Sequence, residues 1–327
     1  MKQVAIIGSG SWGMALATHL AKNGNKVKVW SFSEEEKNAI NQERKCIQLP
    51  DLVIPEGIEC STSYEEVLEG TEIVIHVTPS RVLRKVIREY KPYLKNQPVV
   101  ICSKGLENDT LTTLSDVAKQ ELPNQKIGIF SGPSHAEEVC QGVPTAIVIG
   151  SEDNEVISDI QEIFMNNKMR IYASNDIKGV ELGGALKNII AFCSGIAAEM
   201  NMGDNTFAAL ITRGLVEIAR LGEKMGAKKE TFYGLSGLGD LIVTCLSEHS
   251  RNRKAGKLVG KGLSLEEVRK EVGMTIESID NIEAAYKLSK KYNIEMPIVN
   301  AVYDVLYNGL KPEDAVTMLM TRDKKFE

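Results

Sequence analysis

Short runs of apolar and β-branched residues recur along the first half of the chain. Gln3–Ile7 (QVAII) and Lys26–Trp30 (KVKVW) are the first two, and 72–77, 99–102, 126–130, 145–149 and 170–172 continue the series. Between most of them, apolar residues return every three or four positions, as in 13–23 and 81–90, which is helical spacing. Ser63-x-x-Glu66 reads as a capping box opening a short helix that stops at Gly70. This alternation predicts a mostly parallel sheet with helices on both faces. Beyond Asn175 the strand patterns end, and helical periods broken by Gly-rich turns run to the polar segment 321–327, which is expected to fray. The pattern therefore predicts two domains, an α/β domain over 1–175 and an all-α domain over 176–327.

The first strand leads into Gly8-Ser-Gly10-Ser-Trp-Gly13, the spacing G-x-G-x-x-G, at the point where a helix begins. Gly8 allows the tight turn, Gly10 lets backbone approach a pyrophosphate, and Gly13 lets helix and strand pack closely. The N–H groups at the helix start then face the phosphates. A glycine-rich turn used for packing alone is the plain alternative. At the end of the second strand, an acid would favour a ribose 2′-hydroxyl and an Arg a 2′-phosphate. The chain has Ser31-Phe32-Ser33 followed by Glu34, Glu35 and Glu36, with no basic clamp. Phe32 is a candidate platform for the adenine; the carboxylates either repel a phosphate or cap and solvate the next helix, and Glu35 and Glu36 read as the latter.

A low-charge helical stretch, VELGGALKNIIAFCSG from Val180 to Gly195, carries Lys187 and Asn188 at its middle. At helical spacing Val180, Gly183, Gly184, Lys187, Asn188, Ala191 and Gly195 share one face. Each helical Gly costs about 1 kcal/mol against Ala, so the pair before Lys187 suggests that something flat, such as a nicotinamide and its substrate, approaches there. Close helix packing with a snorkelling lysine is the competing explanation. Ser103-Lys104-Gly105 and Ser131-Gly132-Pro133-Ser134-His135-Ala136 end predicted strands at the sheet edge where ligands bind in such folds. In LSGLGDLIVT, Asp240 and Thr244 lie one helical turn apart. Ser250-Arg251-Asn252-Arg253 suits a helix start that grips phosphate, or else a solvated basic turn.

Composition narrows the class without changing it. A net charge of −5 gives no global sign of a nucleic-acid surface. The six cysteines form no C-x-x-C pair and no metal-ligand spacing with the four histidines, which predicts reduced thiols, a cytosolic protein and no metal site. The chain opens directly on a strand, so no signal peptide is expected, and the longest apolar run, 189–198, is too short to span a bilayer.

Taken together, GSGSWGMALA, SKGLE, SGPSHAEEV, GVELGGALKNIIA, ALITRGLVEIARLG, GLSGLGDLIVTC and SEHSRNRKAGKLVGKG, in this order over nearly the whole chain, resemble the NAD(P)-dependent glycerol-3-phosphate dehydrogenase family of the soluble prokaryotic type. The resemblance implies a Rossmann-like N-terminal domain, an all-helical C-terminal domain, NAD(H) or NADP(H) as cofactor, and a small phosphorylated three-carbon substrate. The implied reaction interconverts dihydroxyacetone phosphate and sn-glycerol 3-phosphate, which supplies phospholipid synthesis. Carried over by position, Lys187 matches the proton donor and acceptor, and Lys104 a second active-site lysine near substrate and cofactor. Asn188, Asp240 and Thr244 match polar residues around the reacting centre. Gly132, Ser134, Ser250, Arg251 and Asn252 match substrate contacts. Ser11, Trp12, Ala136, Arg251, Thr275 and Glu277 match cofactor contacts beside Gly8, Gly10 and Gly13, although the family often has a small aliphatic residue in place of Thr275. Members preferring NADPH commonly carry a basic residue near Ser31–Ser33, which this chain lacks. By analogy the helical half is of a kind that supports homodimers.

The chemistry asked of these residues is modest. Reducing a ketone needs hydride on carbon and a proton on oxygen, and a lysine suits the second task where burial and a second cation, such as Lys104, bring its pKa toward neutrality. Two rivals remain at this level: a hydroxyacid or 6-phosphogluconate-type dehydrogenase of similar plan, and a protein that senses dinucleotide without turning it over.

Overall fold

A computed structural model of the chain describes residues 1–324 and Phe326. The remainder of the segment expected to fray lies outside the described residues. The chain divides into two compact units, Met1–Lys104 with Thr112–Glu181, and Gly105–Leu111 with Leu182–Glu327. The expected boundary near 175 thus differs in two places: the first turn of a long helix belongs to the first unit, and the heptapeptide 105–111 belongs to the second.

The first unit is built on an eight-stranded sheet. Its strands are β1 (Gln3–Ile7), β2 (Lys26–Trp30), β3 (Ile58–Ser61), β4 (Ile73–His76), β5 (Val99–Ile101), β6 (Ile127–Ser131), β7 (Thr145–Ser151) and β8 (Met169–Ser174), in the spatial order β8-β7-β6-β5-β4-β1-β2-β3. All neighbouring pairs are parallel except β6–β7. Helices α1 (Ser11–Lys22), α2 (Glu34–Asn38), α3 (Tyr64–Leu68), α4 (Leu83–Tyr90), α5 (Leu114–Glu121), α6 (Ala136–Gln141) and α7 (Asn154–Phe164) connect them. Strand β1 is central, registered Val4↔Val27 on one side and Val4↔Ile73 on the other, and is fully buried from Val4 to Ile7. The chain winds from β1 to β2 and β3, then resumes at β4 on the opposite flank. The carboxyl end of β1 therefore lies at the switch point where α/β sheets place ligands.

The sequence pattern missed β3 and a hairpin of Lys45–Cys46 with Leu49–Val53. Ile58-Glu-Cys-Ser offers only two periods of alternation, and this edge strand gains its identity from pairing with β2. The capping box expected at Ser63 is half formed. Ser63 accepts from the Glu66 N–H, but the Glu66 carboxylate takes the Ser61 hydroxyl instead of reaching back. A complete box stands at Ser264/Glu267.

The second unit is a helical cluster around a core that includes Leu106, Leu186, Ile190, Phe192, Phe232, Leu241, Ile282, Leu288 and Val302. Its main helices are α8 (Ile177–Glu199, from Leu182 onward), α9 (Asp204–Lys224), α10 (Asp240–Leu246), α11 (Arg251–Gly260), α12 (Leu265–Val272), α13 (Glu277–Lys291), α14 (Pro297–Tyr307) and α15 (Pro312–Met320). Helix α8 is long and apolar enough to cross a bilayer, beyond what the run 189–198 suggests, yet 94% of that stretch is buried within the protein. Its hydrophobicity serves the core.

Candidate active-site residues

The glycine-rich turn has the geometry its spacing predicts. Gly8 has φ +126°, and a Cβ there would lie 3.0 Å from the Val77 carbonyl oxygen. A Cβ on Gly13 would lie 1.9 Å from the Gly8 carbonyl oxygen, so the turn closes only without one. Around Gly10 there is open space. Gly10 is the N-cap of α1, with no side-chain cap and no acidic residue in the first turn. The helix start thus offers N–H groups without a side-chain cap, its positive end and, at Gly10, no side chain, which suits a pyrophosphate. Ser11 and Trp12 begin this helix, half-buried, and Trp12 Nε1 has no hydrogen-bond partner.

The end of β2 departs from the expectation drawn from sequence. Glu34 is exposed, bonded to Thr62 Oγ1 at 2.6 Å and Lys37 Nζ at 3.1 Å, which hold its carboxyl below the usual range. Phe32 is 80% exposed, leaving its ring face available. Glu36, by contrast, is buried. Its carboxylate accepts from Ser9 Oγ, from Ser31 Oγ at 2.6 Å and from Gln48 Nε2 at 2.5 Å. Ser33 caps α2 by accepting from the Glu36 N–H. Sequence reasoning set Glu36 aside as solvated. In a run of three glutamates, helical spacing turns one of them inward, and that asymmetry was the available signal.

At the carboxyl edge of the sheet, Lys104 follows β5 and reaches the end of β6. Its Nζ donates to the Gly132 carbonyl at 2.9 Å and lies 3.5 Å from Ser134 Oγ, while Ser134 Oγ donates to the same carbonyl at 2.9 Å. Gly132 has φ +153°, and a Cβ there would press on Ile147. Ala136 opens α6 and is buried. The expected trio Lys104, Gly132 and Ser134 therefore forms one hydrogen-bonded group. His76, one of the four histidines, sits in β4 between Tyr90 and Thr78, and burial pushes it down to about 3, so it is neutral.

In the second unit, Lys187 is 5% exposed, with its ammonium bonded to Asp240 Oδ1 and, at 2.6 Å, to Thr244 Oγ1. Thr244 also donates to the Asp240 carbonyl at 2.6 Å, one turn away on α10. The lysine does not snorkel. A buried ammonium is tolerable when a carboxylate and a hydroxyl oxygen accept its protons. Gly183, from the pair before Lys187, and Gly195 serve the close packing that the sequence left as the competing explanation. A Cβ on Gly183 would meet the Ser236 carbonyl oxygen at 2.6 Å, and one on Gly195 would meet the Arg253 carbonyl oxygen at 2.0 Å. They admit neighbouring backbone, so at these two positions close packing wins over space for a ligand.

Beside Lys187, Asn188 Oδ1 accepts from Asn252 Nδ2 at 3.0 Å, and Asn252 Oδ1 accepts from the Ser278 N–H at 3.0 Å. This relay ties α8 to the starts of α11 and α13. Ser250 is the N-cap of α11, accepting from the Arg253 N–H, with exposed Arg251 next to it. Thr275 is half-buried before α13, and Glu277 is the first residue of that helix. Asn281 was missed from sequence. It is buried and donates to the Ala185 carbonyl at 2.9 Å, bracing α8 one turn before Asn188.

Comparison with known proteins adds independent findings. Residues 3–157 match the family model for the NAD-dependent glycerol-3-phosphate dehydrogenase N-terminus, and residues 176–317 match the model for its C-terminus. The chain is similar to a glycerol-3-phosphate dehydrogenase [NAD(P)+] of Fusobacterium nucleatum, 48% identical over all of this chain and 99% of the relative. It is similar also to one of Clostridium tetani, 46% identical over all of this chain and 94% of the relative. Among solved structures, a glycerol-3-phosphate dehydrogenase from Coxiella burnetii superposes with a TM-score of 0.95 at 36% identity, covering 98% of this chain and 99% of that one.

Proposed function

The chain belongs to the NAD-dependent glycerol-3-phosphate dehydrogenase family, and on that premise we propose how its own residues interconvert dihydroxyacetone phosphate and sn-glycerol 3-phosphate with NAD(H) or NADP(H). The observation that carries the assignment of roles is the buried group Lys187, Asp240 and Thr244. A nicotinamide, when bound, would supply hydride to the substrate carbon and accept it in the reverse direction. Lys187 Nζ gives a proton to the oxygen as negative charge develops there, and takes it back in the oxidation. Asp240 and Thr244 hold the ammonium in one orientation, which avoids reorganisation during the transfer.

The glycine-rich turn fits a dinucleotide, because Gly8 and Gly13 leave no side chain in the bend and Gly10 faces open space. Ser11, Trp12 and Ala136 are the proposed neighbours of the cofactor, with Phe32 against the adenine. Lys104, held by Gly132 and Ser134, contributes a fixed cation toward anionic groups. The start of α11 offers helix N–H groups, the Ser250 hydroxyl and Arg251 to the substrate phosphate, which supplies remote binding energy for orienting the carbonyl. Asn188 and Asn252 steady that region, and Thr275 and Glu277 take the remaining cofactor contacts. A homodimer and a cytoplasmic location belong to the same reading, and sedimentation and cell fractionation check them. The rival hydroxyacid dehydrogenase and the non-catalytic sensor are disfavoured by full-length relatives that are named for glycerol 3-phosphate.

The test is direct. Purified chain given dihydroxyacetone phosphate should consume NADH or NADPH, followed by absorbance. Lys187→Met should keep its fold and dinucleotide binding while kcat falls by about 10²–10⁴-fold. Near-native kcat in that variant would remove Lys187 from proton transfer.

A further inference from the structure

We propose that Glu36 determines cofactor specificity, setting a preference for NAD(H) over NADP(H) from a buried position behind the end of β2. The inference rests on the dehydrogenase reading and adds to it a residue that touches the cofactor site through two serines.

Glu36 links the two segments that border the adenosine ribose in a sheet of this winding. Ser9 lies between Gly8 and Gly10 in the phosphate turn, and Ser31 terminates β2. Both hydroxyls donate to one oxygen, Glu36 Oε2, while Gln48 Nε2 donates to Oε1. Ser31 Oγ also accepts from the Ser33 N–H at 3.1 Å. Two consequences follow for a 2′-phosphate, which adds about 1.5–2 negative charges near neutral pH. The hydroxyls nearest the ribose spend their protons on Glu36, so they offer the phosphate lone pairs in place of donors. The carboxylate itself sits in a poorly screened site, where its repulsion of a second anion exceeds that of a solvated acid. Among the described residues no lysine or arginine bonds to Glu36, and Lys37, the following residue, is turned to the exposed Glu34. A 2′-hydroxyl meets no such penalty and can donate to Ser9 or Ser31. Glu36 acts through these serines and is a positioning residue.

The experiment measures equilibrium binding of NADH and NADPH by nicotinamide fluorescence, so it does not depend on turnover. The native chain should bind NADH at least tenfold more tightly than NADPH. Glu36→Gln keeps the acceptor and removes the charge, and should narrow that ratio by about tenfold. Glu36→Asp keeps the charge and should leave NADH favoured. Phe32→Arg places a cation at an exposed position that does not challenge folding, and should also tighten NADPH by about tenfold. The proposal is overturned if the native chain binds NADPH as tightly as NADH, or if folded Glu36→Gln leaves the ratio unchanged. Loss of folding in Glu36→Gln leaves the Phe32→Arg result to decide, because an unchanged ratio there places the 2′-phosphate away from β2. Activity of the native chain with dihydroxyacetone phosphate and either cofactor tests the dehydrogenase reading separately.

Discussion

Single residues of one type carry different burdens here, and glycine shows it best. Gly13 cannot gain a methyl group without displacing the Gly8 carbonyl, whereas Gly10 faces open space with an ordinary φ of −65°. Gly13→Ala should therefore cost roughly 1–3 kcal/mol of stability through overpacking, together with dinucleotide binding. Gly10→Ala should stay within about 1 kcal/mol of the native chain and yet bind NADH more weakly. Thermal melts with and without NADH separate the two cases. Arg251→Ala should raise KM for dihydroxyacetone phosphate with little change in kcat, since an exposed side chain at a helix start contributes binding more than proton transfer. An unchanged KM would put the phosphate grip elsewhere. The lysines and the Asp240–Thr244 pair were legible because their spacing and their setting in apolar sequence are unusual. Glu36 was legible only as one of three adjacent glutamates, because which of them is buried depends on Ser9 and Gln48, which lie far from it in the chain.

At the scale of elements, two buried carboxylates close helix starts. Glu181 accepts from the Ser115 N–H at 2.9 Å at the start of α5, and Glu217 accepts from the N–H groups of Ile298 and Val299, at 2.8 and 3.1 Å for Ile298, at the start of α14. Desolvation pushes both up to about 7 against an ordinary value of 4.5. A carboxyl raised in the folded state stabilises fully below about pH 4.5, and that contribution is lost as pH rises through about 7. Glu217→Gln removes the ionisation and leaves an acceptor. Its stability relative to the native chain should improve between pH 5 and pH 8, by on the order of 1–3 kcal/mol, as urea titrations across that range would register. A difference that stays flat with pH would show Glu217 ionised throughout. Element boundaries follow the same division between local and distant causes. β1 and β2 match their sequence pattern at both ends because each pairs with a neighbouring strand on both sides. β3 exists through its pairing with β2, the strands of the 45–53 hairpin pair only with each other, and both sequences are too short to declare a strand.

At the scale of the molecule, the core consists of two apolar clusters, one in each unit. Helix α8 illustrates how whole-chain context decides the meaning of a local property. Its length and hydropathy suit a bilayer, and its burial supplies the solvent instead. The folded protein is accordingly expected not to float with lipid vesicles in a density gradient, and flotation would show that this helix can leave the core. Leu106 makes the opposite point. It is 1% exposed in the cluster of the second unit, although the sequence placed it well inside the first domain. Leu106→Ala in the full chain should cost about 2–5 kcal/mol, read by chemical denaturation.

The detour of 105–111 also has a meaning in time. The ribosome makes Leu106 early, but its cluster includes residues as late as Val302, and at 5–20 residues per second that is a delay of roughly 10–40 s. Leu106 and Leu111 wait until synthesis reaches Leu182 for the first of the other members of their cluster. Chains released before that point are expected to keep both leucines in water, within a heptapeptide whose other residues are mostly polar.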